Sequence, residues 1–284
     1  MNPRRRQVIA AARKADQIWT MRFRLAIPML LLATLASPAH SASSQWLEAQ
    51  GARVRLVTSG LPDRDGTLTG VLEITLAPGW KTYWRDPGEV GVPPNLDIDA
   101  SSNIAGARLS FPAPQRIADG FATWAGYKKS VALPVRLTLK EPADPFSANV
   151  FLGVCEAICI PVQGELVVDP ARDPENTEDA AIVAAALAHL PEPEQPGFGV
   201  KIVETTPERI VVDASFPGDP AAADFFIAGE DGYAFGTPER LDDTGKSLFS
   251  VALLDRPAAR PAGAGLAYTL VTAAGAVEGL LPYP

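Results

Sequence analysis

Sulfur and imidazole are scarce in this 284-residue chain, which holds two cysteines, three methionines and two histidines. All three methionines (Met1, Met21, Met29) stand near the N-terminus. That distribution argues against a methionine- or histidine-based metal site, and against a Cys–His nucleophile pair unless His189 folds back on a cysteine. His189 comes late in an alanine-rich stretch, where a solvated position or a place at a helix C-terminus is the plain reading. No metal and no cofactor is expected. Long apolar runs are also missing beyond Leu35, so the body of the chain has no segment of membrane-spanning length.

What the N-terminus does contain reads as an export signal. Residues 1–20 are basic and polar, with Arg4, Arg5, Arg6, Arg13 and Lys14, and Arg22 and Arg24 precede an apolar run from Leu25 to Leu35. Ser37-Pro38-Ala39-His40-Ser41-Ala42 follows, with small residues suited to cleavage after Ala39 or Ser41. A basic region, an apolar region and a small-residue site make a secretory signal peptide over residues 1–42, with Met1 or Met21 as the start. The rival reading is an uncleaved N-terminal anchor. Removing the signal takes away seven of 25 basic residues and one of 33 acidic ones, leaving 18 against 32 and a net charge near −14. Such a chain is not expected to bind nucleic acid or an anionic membrane surface, nor to stay inserted in a membrane. Export would place its thiols in an oxidising compartment.

The body reads as all-β. Pro and Gly are frequent, helix signals are few, and short alternating apolar runs recur, a pattern of β-sandwiches. A first domain is expected over 44–170. Its strands include Arg53–Val57, Leu68–Leu76, the aromatic Trp80–Arg85, Ala107–Phe111 and Val131–Leu139, where Pro134 argues for an edge or a bulge. Arg116–Tyr127 reads as a loop with three aromatics. Residues 171–196 read as a Pro-flanked helical linker, capped by Asn176 or Thr177. A second β-sandwich is expected over 197–284; it has no Cys, His or Trp and shows no chemistry of its own.

The two cysteines sit in Val154-Cys155-Glu156-Ala157-Ile158-Cys159-Ile160-Pro161. Apolar residues lead in and Pro161 closes the stretch, so it reads as a strand, a tight turn and a second strand with the thiols facing across the turn. As a staple the bridge is weak. Closing five residues is worth about 2 kcal/mol by chain entropy, against about 4.7 for a 100-residue loop. A turn-held pair suits a bridge that opens and closes, although small structural bridges also occur in exported proteins. Glu156 would oppose thiolate formation by charge, while Lys128 and Lys129 would favour it if they reach the site.

Three stretches give the first domain a resemblance to the N-terminal periplasmic domain of the DsbD family of thiol:disulfide interchange proteins, and to the related ScsB-type proteins. They are Gly79-Trp80-Lys81-Thr82-Tyr83-Trp84-Arg85 with Pro87-Gly88, Phe121–Tyr127 running into Leu133-Pro134-Val135, and the cysteine hairpin ending in Cys159-Ile160-Pro161. More weakly, the second β domain resembles the second unit of ScsB-type N-terminal regions. The resemblance implies two immunoglobulin-like sandwiches, with Cys155 and Cys159 as the redox pair and Cys159 as the sulfur that forms mixed disulfides. It implies an aromatic shield at Phe121, with Trp124 and Tyr127 nearby and Tyr83 lining the site. It further implies electrons arriving from a membrane-embedded thiol reductase or its thioredoxin-like domain, and leaving to periplasmic client thiol proteins. The three-residue cysteine spacing is shorter than in the best-known members. The stretch that matches includes neither a transmembrane carrier nor a thioredoxin-like domain, so the donor is expected to be a separate protein.

Three functions from different classes remain open on the sequence. The leading one is a periplasmic thiol–disulfide relay, an oxidoreductase component. The second is a non-catalytic binding module in which Cys155–Cys159 is a permanent clip. The third is a Cu(I) carrier using both thiolates, which the scarcity of Met and His disfavours.

Overall fold

Period-two alternation of buried and exposed side chains builds most of the chain. The computed structural model describes residues 42–284 except 89, 100, 101, 119–121, 143, 220 and 242–244. The expected signal peptide lies outside the described residues.

Eleven strands precede the one helix among the described residues: β1 (Leu47–Ala49), β2 (Ala52–Thr58), β3 (Thr67–Leu76), β4 (Lys81–Tyr83), β5 (Asn95–Asp97), β6 (Ile104–Leu109), β7 (Gln115–Ala118), β8 (Thr123–Tyr127), β9 (Val131–Leu139), β10 (Phe146–Cys155) and β11 (Cys159–Val168). They form two antiparallel sheets, ordered β1-β2-β3-β9-β6 and β11-β10-β4-β8-β7, with β5 also on β10. Leu56, Leu72, Leu133 and Leu137 of the first sheet meet Trp84, Val150, Leu152 and Val154 from the second in one core. This is the immunoglobulin-like layering of two sheets over a shared apolar interior.

Two local readings are corrected. The Arg116–Tyr127 stretch is not a loop: β7 and β8 form a hairpin with Ile117 opposite Trp124. Ile117, Trp124 and Gly126 alternate with Arg116, Ala125 and Tyr127, which a strand needs and a loop does not. Pro134 is in the middle of a central strand, since β9 pairs with both β3 and β6. It is tolerated because β6 has just ended there. The Pro134 carbonyl accepts from Ser110 N–H at 2.7 Å, so the missing N–H faces the side where the ladder stops.

The helix α1 (Thr177–Ala188) begins at Asn176, whose side-chain oxygen accepts from Glu178 and Asp179 N–H at 3.0 Å each. It is no free span. Val183 and Ala186 pack on Val57 and Val71 of the outer face of the first sheet. His189 caps its C-terminus, with Nδ1 2.7 Å from the Ala185 carbonyl.

Beyond α1 come β12 (Glu192–Pro193), β13 (Gly199–Thr205), β14 (Arg209–Ser215), β15 (Ala223–Ile227), β16 (Ala234–Phe235), β17 (Glu239–Leu241), β18 (Ser247–Asp255), β19 (Leu266–Thr272) and β20 (Gly275–Leu281). Their sheets run β12-β20-β19-β15 and β13-β14-β18-β16, with β17 on β18. Phe225, Phe249, Tyr268 and Leu270 fill the interior of this second sandwich. Burial pushes the Tyr268 phenol well above its ordinary range, helped by its hydrogen bond to Glu194. The two sandwiches belong to one compact unit. At their seam Trp84 meets Phe226 edge-on at 5.9 Å, Arg85 pairs with Glu278 at 3.2 Å, and Asp86 accepts from Gly229 N–H.

Candidate functional site

The site grows from the end of one hairpin. β10 and β11 run in unbroken register from Phe146↔Val168 to Cys155↔Cys159. Ten paired residues on each strand therefore bring the two cysteines face to face, joined as a disulfide with Cα atoms 4.1 Å apart. Glu156 N–H donates to the Ile158 carbonyl at 3.2 Å and closes the turn. The two sulfurs differ in surroundings. Cys155 is 5% exposed, whereas Cys159 is exposed, beside the solvent-facing Ile158.

Cys155 is buried by a small cluster on the outer face of its sheet, separate from the main core: Tyr83, Ile117 and Trp124, with Ala122 against them. Strand parity explains the grouping. Cys155 pairs with Lys81 on β4, and Tyr83 two residues on points to the same face. Tyr83 pairs with Gly126 on β8, so Trp124 joins that face as well. The Tyr83 and Trp124 rings are tilted against each other with centroids 4.6 Å apart. The Lys81 ammonium stands 5.8 Å from the Trp124 ring centroid.

Tyr83 is the polar contact of the bridge. Its hydroxyl oxygen lies 3.0 Å from Cys155 Sγ and 3.2 Å from Cys159 Sγ. Two glycines make room for its ring. A Cβ on Gly91, which holds φ +124, would come within 2.5 Å of the ring, and one on Gly153 within 3.0 Å. Thr82 Oγ1–H donates to the Gly153 carbonyl at 2.8 Å and Gly153 N–H donates to Val92 at 3.0 Å. The floor of the site is thus bonded on both sides.

Of the other expected site residues, Tyr127 falls elsewhere. Tyr127 lies three positions from Trp124 and so points the other way, into the main core. Its hydroxyl donates to the Pro112 carbonyl at 2.8 Å, and burial pushes its phenol far above the ordinary range, with Arg85 opposing. Phe121 lies outside the described residues. Glu156 is exposed, with its carboxylate over Gly79. A surface groove beside the turn is lined by Lys81, Ile117, Ala118, Lys128, Glu156 and Ala157; Lys129 is exposed and not among its lining residues. Ile117, Gly91 and Gly153 are the site residues that sequence reading misses. Gly91 follows the aromatic strand and Gly153 stands two residues before Cys155, but nothing local in the sequence marks either as facing the Tyr83 ring, and Ile117 shows itself only through its pairing with Trp124.

Chemically, the arrangement offers an exposed sulfur to attack, a buried sulfur to leave, and a hydroxyl able to hydrogen-bond either one. An attacking thiolate needs access to one sulfur of the bridge, and the rate depends on how well the other carries away the electron pair.

Residues 48–170 match the family profile described as thiol:disulfide interchange protein DsbD, N-terminal. No curated protein sequence matches the chain significantly. Among solved structures, the N-terminal periplasmic domain of ScsB from Proteus mirabilis is similar in fold, with a TM-score of 0.68 and 21% identity over 86% of this chain and 100% of that one. No helix among the described residues is long and apolar enough to cross a membrane.

Proposed function

Residues 48–170 belong to the family of DsbD N-terminal domains, and on that premise we propose that the chain is a periplasmic thiol:disulfide relay working through Cys155 and Cys159. In this reading residues 44–170 carry the exchange, 171–196 link, and 197–284 support. The observation that carries it is the asymmetry of the bridge: Cys159 exposed, Cys155 buried, and Tyr83 within reach of both sulfurs.

The steps balance as thiol–disulfide exchange. A thiolate of a donor dithiol, supplied by a membrane reductase or its thioredoxin-like domain, attacks Cys159 Sγ. A donor–Cys159 bond forms, the Cys155–Cys159 bond breaks, and Cys155 leaves with the electron pair as a thiolate. Tyr83 O–H donates to that buried sulfur, where an unpaired charge would otherwise be costly. The donor's second thiolate then attacks its own partner sulfur in the mixed disulfide and frees Cys159. Two electrons have moved and the donor is oxidised. In the forward half, Cys159 attacks a client disulfide, and Cys155 closes on Cys159 to release the client with one reduced pair.

The test is trapping. Cys155→Ser should accumulate a mixed disulfide through Cys159 with a single-cysteine thioredoxin-like donor activated as its thionitrobenzoate mixed disulfide, the Cys159 thiolate displacing thionitrobenzoate, and Cys159→Ser should not. Equal trapping by both variants, or by neither, would sink the assignment of Cys159 as the attacked sulfur.

A further inference from the structure

The second sandwich has no cysteine, histidine or tryptophan, yet it holds the hairpin that covers Cys155. β7 is the edge strand of its sheet and pairs on one side with β8, from Gln115↔Gly126 to Ala118↔Thr123. From β7 the Arg116 guanidinium spans to the second sandwich. Its Nη2 lies 2.6 Å from Asp224 Oδ1, its Nε 3.1 and 3.2 Å from the two carboxylate oxygens, and Nη2 also donates to the Phe225 carbonyl at 2.8 Å. The guanidinium stands 4.8 Å from the Phe226 ring centroid. A fork held this way fixes orientation as well as position.

The next residue, Ile117, packs against Cys155 and pairs with Trp124. Trp124 meets Tyr83 and also lines a cavity of about 30 Å³ at the seam, shared with Arg116, Phe226 and Phe235. Both side chains that join Tyr83 over the buried sulfur therefore hang from a hairpin whose edge strand is tied to the second sandwich.

We infer that Arg116 is a positioning residue: bound to Asp224 and Phe225, it lets the second sandwich hold Ile117 and Trp124 over Cys155 and so restricts attack on the buried sulfur. This rests on the exchange reading of the cysteine pair, and it assigns the second sandwich a part in partner selection, since only a partner able to reach Cys159 with the hairpin closed reacts quickly.

The full chain tests it, with Asp224→Ala, the milder Asp224→Asn, and the reversed pair Arg116→Asp with Asp224→Arg. Three quantities are read: the rate of reduction by dithiothreitol, the rate of alkylation at Cys155 in the reduced chain, and the redox midpoint. Loss of the clamp should raise the rate of alkylation at Cys155 by about three- to tenfold through a larger open fraction, and leave the midpoint and reduction through the exposed Cys159 unchanged. The reversed pair should return that rate toward wild type. Should Asp224→Ala fold poorly, Asp224→Asn keeps the shape, removes the charge and carries the same comparison. Finite rates of Cys155 alkylation equal in wild type and variant overturn the clamp alone, as does a reversed pair that restores nothing. A bridge that resists dithiothreitol in every variant until the chain unfolds overturns the exchange reading and the clamp together.

Discussion

The hydroxyl of Tyr83 lies 3.0 Å from the sulfur of Cys155, and the two meet on the outer face of the sheet that their strands share. In the oxidised chain that contact is a weak hydrogen bond to a neutral sulfur. As the bridge breaks, the leaving Cys155 sulfur takes on negative charge, and the bond to it is stronger because the acceptor is charged. The hydroxyl therefore favours reduction of the bridge.

Tyr83→Phe should lower the redox midpoint. A hydrogen bond worth about 1 kcal/mol corresponds to roughly 20 mV for a two-electron couple. The mutant should also be reduced more slowly, because Cys155 becomes a poorer leaving group. A midpoint that stays put or rises would show that the hydroxyl does not serve the thiolate.

The glycine pair around Tyr83 should separate stability from reactivity. Gly91→Ala puts a methyl at φ +124 and 2.5 Å from the ring, so it is expected to cost about 1–3 kcal/mol in a denaturant titration. Gly153→Ala meets the ring at 3.0 Å at an ordinary backbone angle, and should cost less while displacing the hydroxyl from the sulfurs. Its reduction rate should then move in the same direction as that of Tyr83→Phe. Wild-type kinetics in Gly153→Ala would mean that the ring's position is unimportant.

Alkaline stability follows from two buried phenols. Burial raises the pKa values of Tyr127 and Tyr268, with the Glu194 hydrogen bond adding to the second. The folded chain keeps these protons where the unfolded chain releases them, so stability is full below about pH 10 and falls as pH rises beyond it. Urea unfolding between pH 9 and 11.5 should show that decline. Tyr127→Phe should make it shallower, by about one proton's worth of slope. An unchanged slope would mean that Tyr127 ionises in the folded state at its ordinary pH.

The cysteine pairing was legible because two apolar strands and a short turn leave one sensible register, and the register alone brings the thiols together. The aromatic content around them was visible too, but not its division. Trp124 and Tyr127 are three apart on one strand and must face opposite ways, a parity that reading the stretch as a loop conceals. Pro134 misled for a related reason: whether a proline is tolerated depends on where the neighbouring strand ends, and that is a property of β6. The Arg116–Asp224 tie joins residues 108 positions apart through ordinary surface charges, and no local pattern announces it.

A redox titration of the whole chain in glutathione or dithiothreitol buffers, read by alkylation and mass of Cys155 and Cys159, tests the central claim most directly. The relay requires a midpoint between roughly −180 and −270 mV, where exchangeable pairs lie. A midpoint below about −300 mV, or thiols that react only when the chain unfolds, would make the bridge a structural clip and contradict the relay.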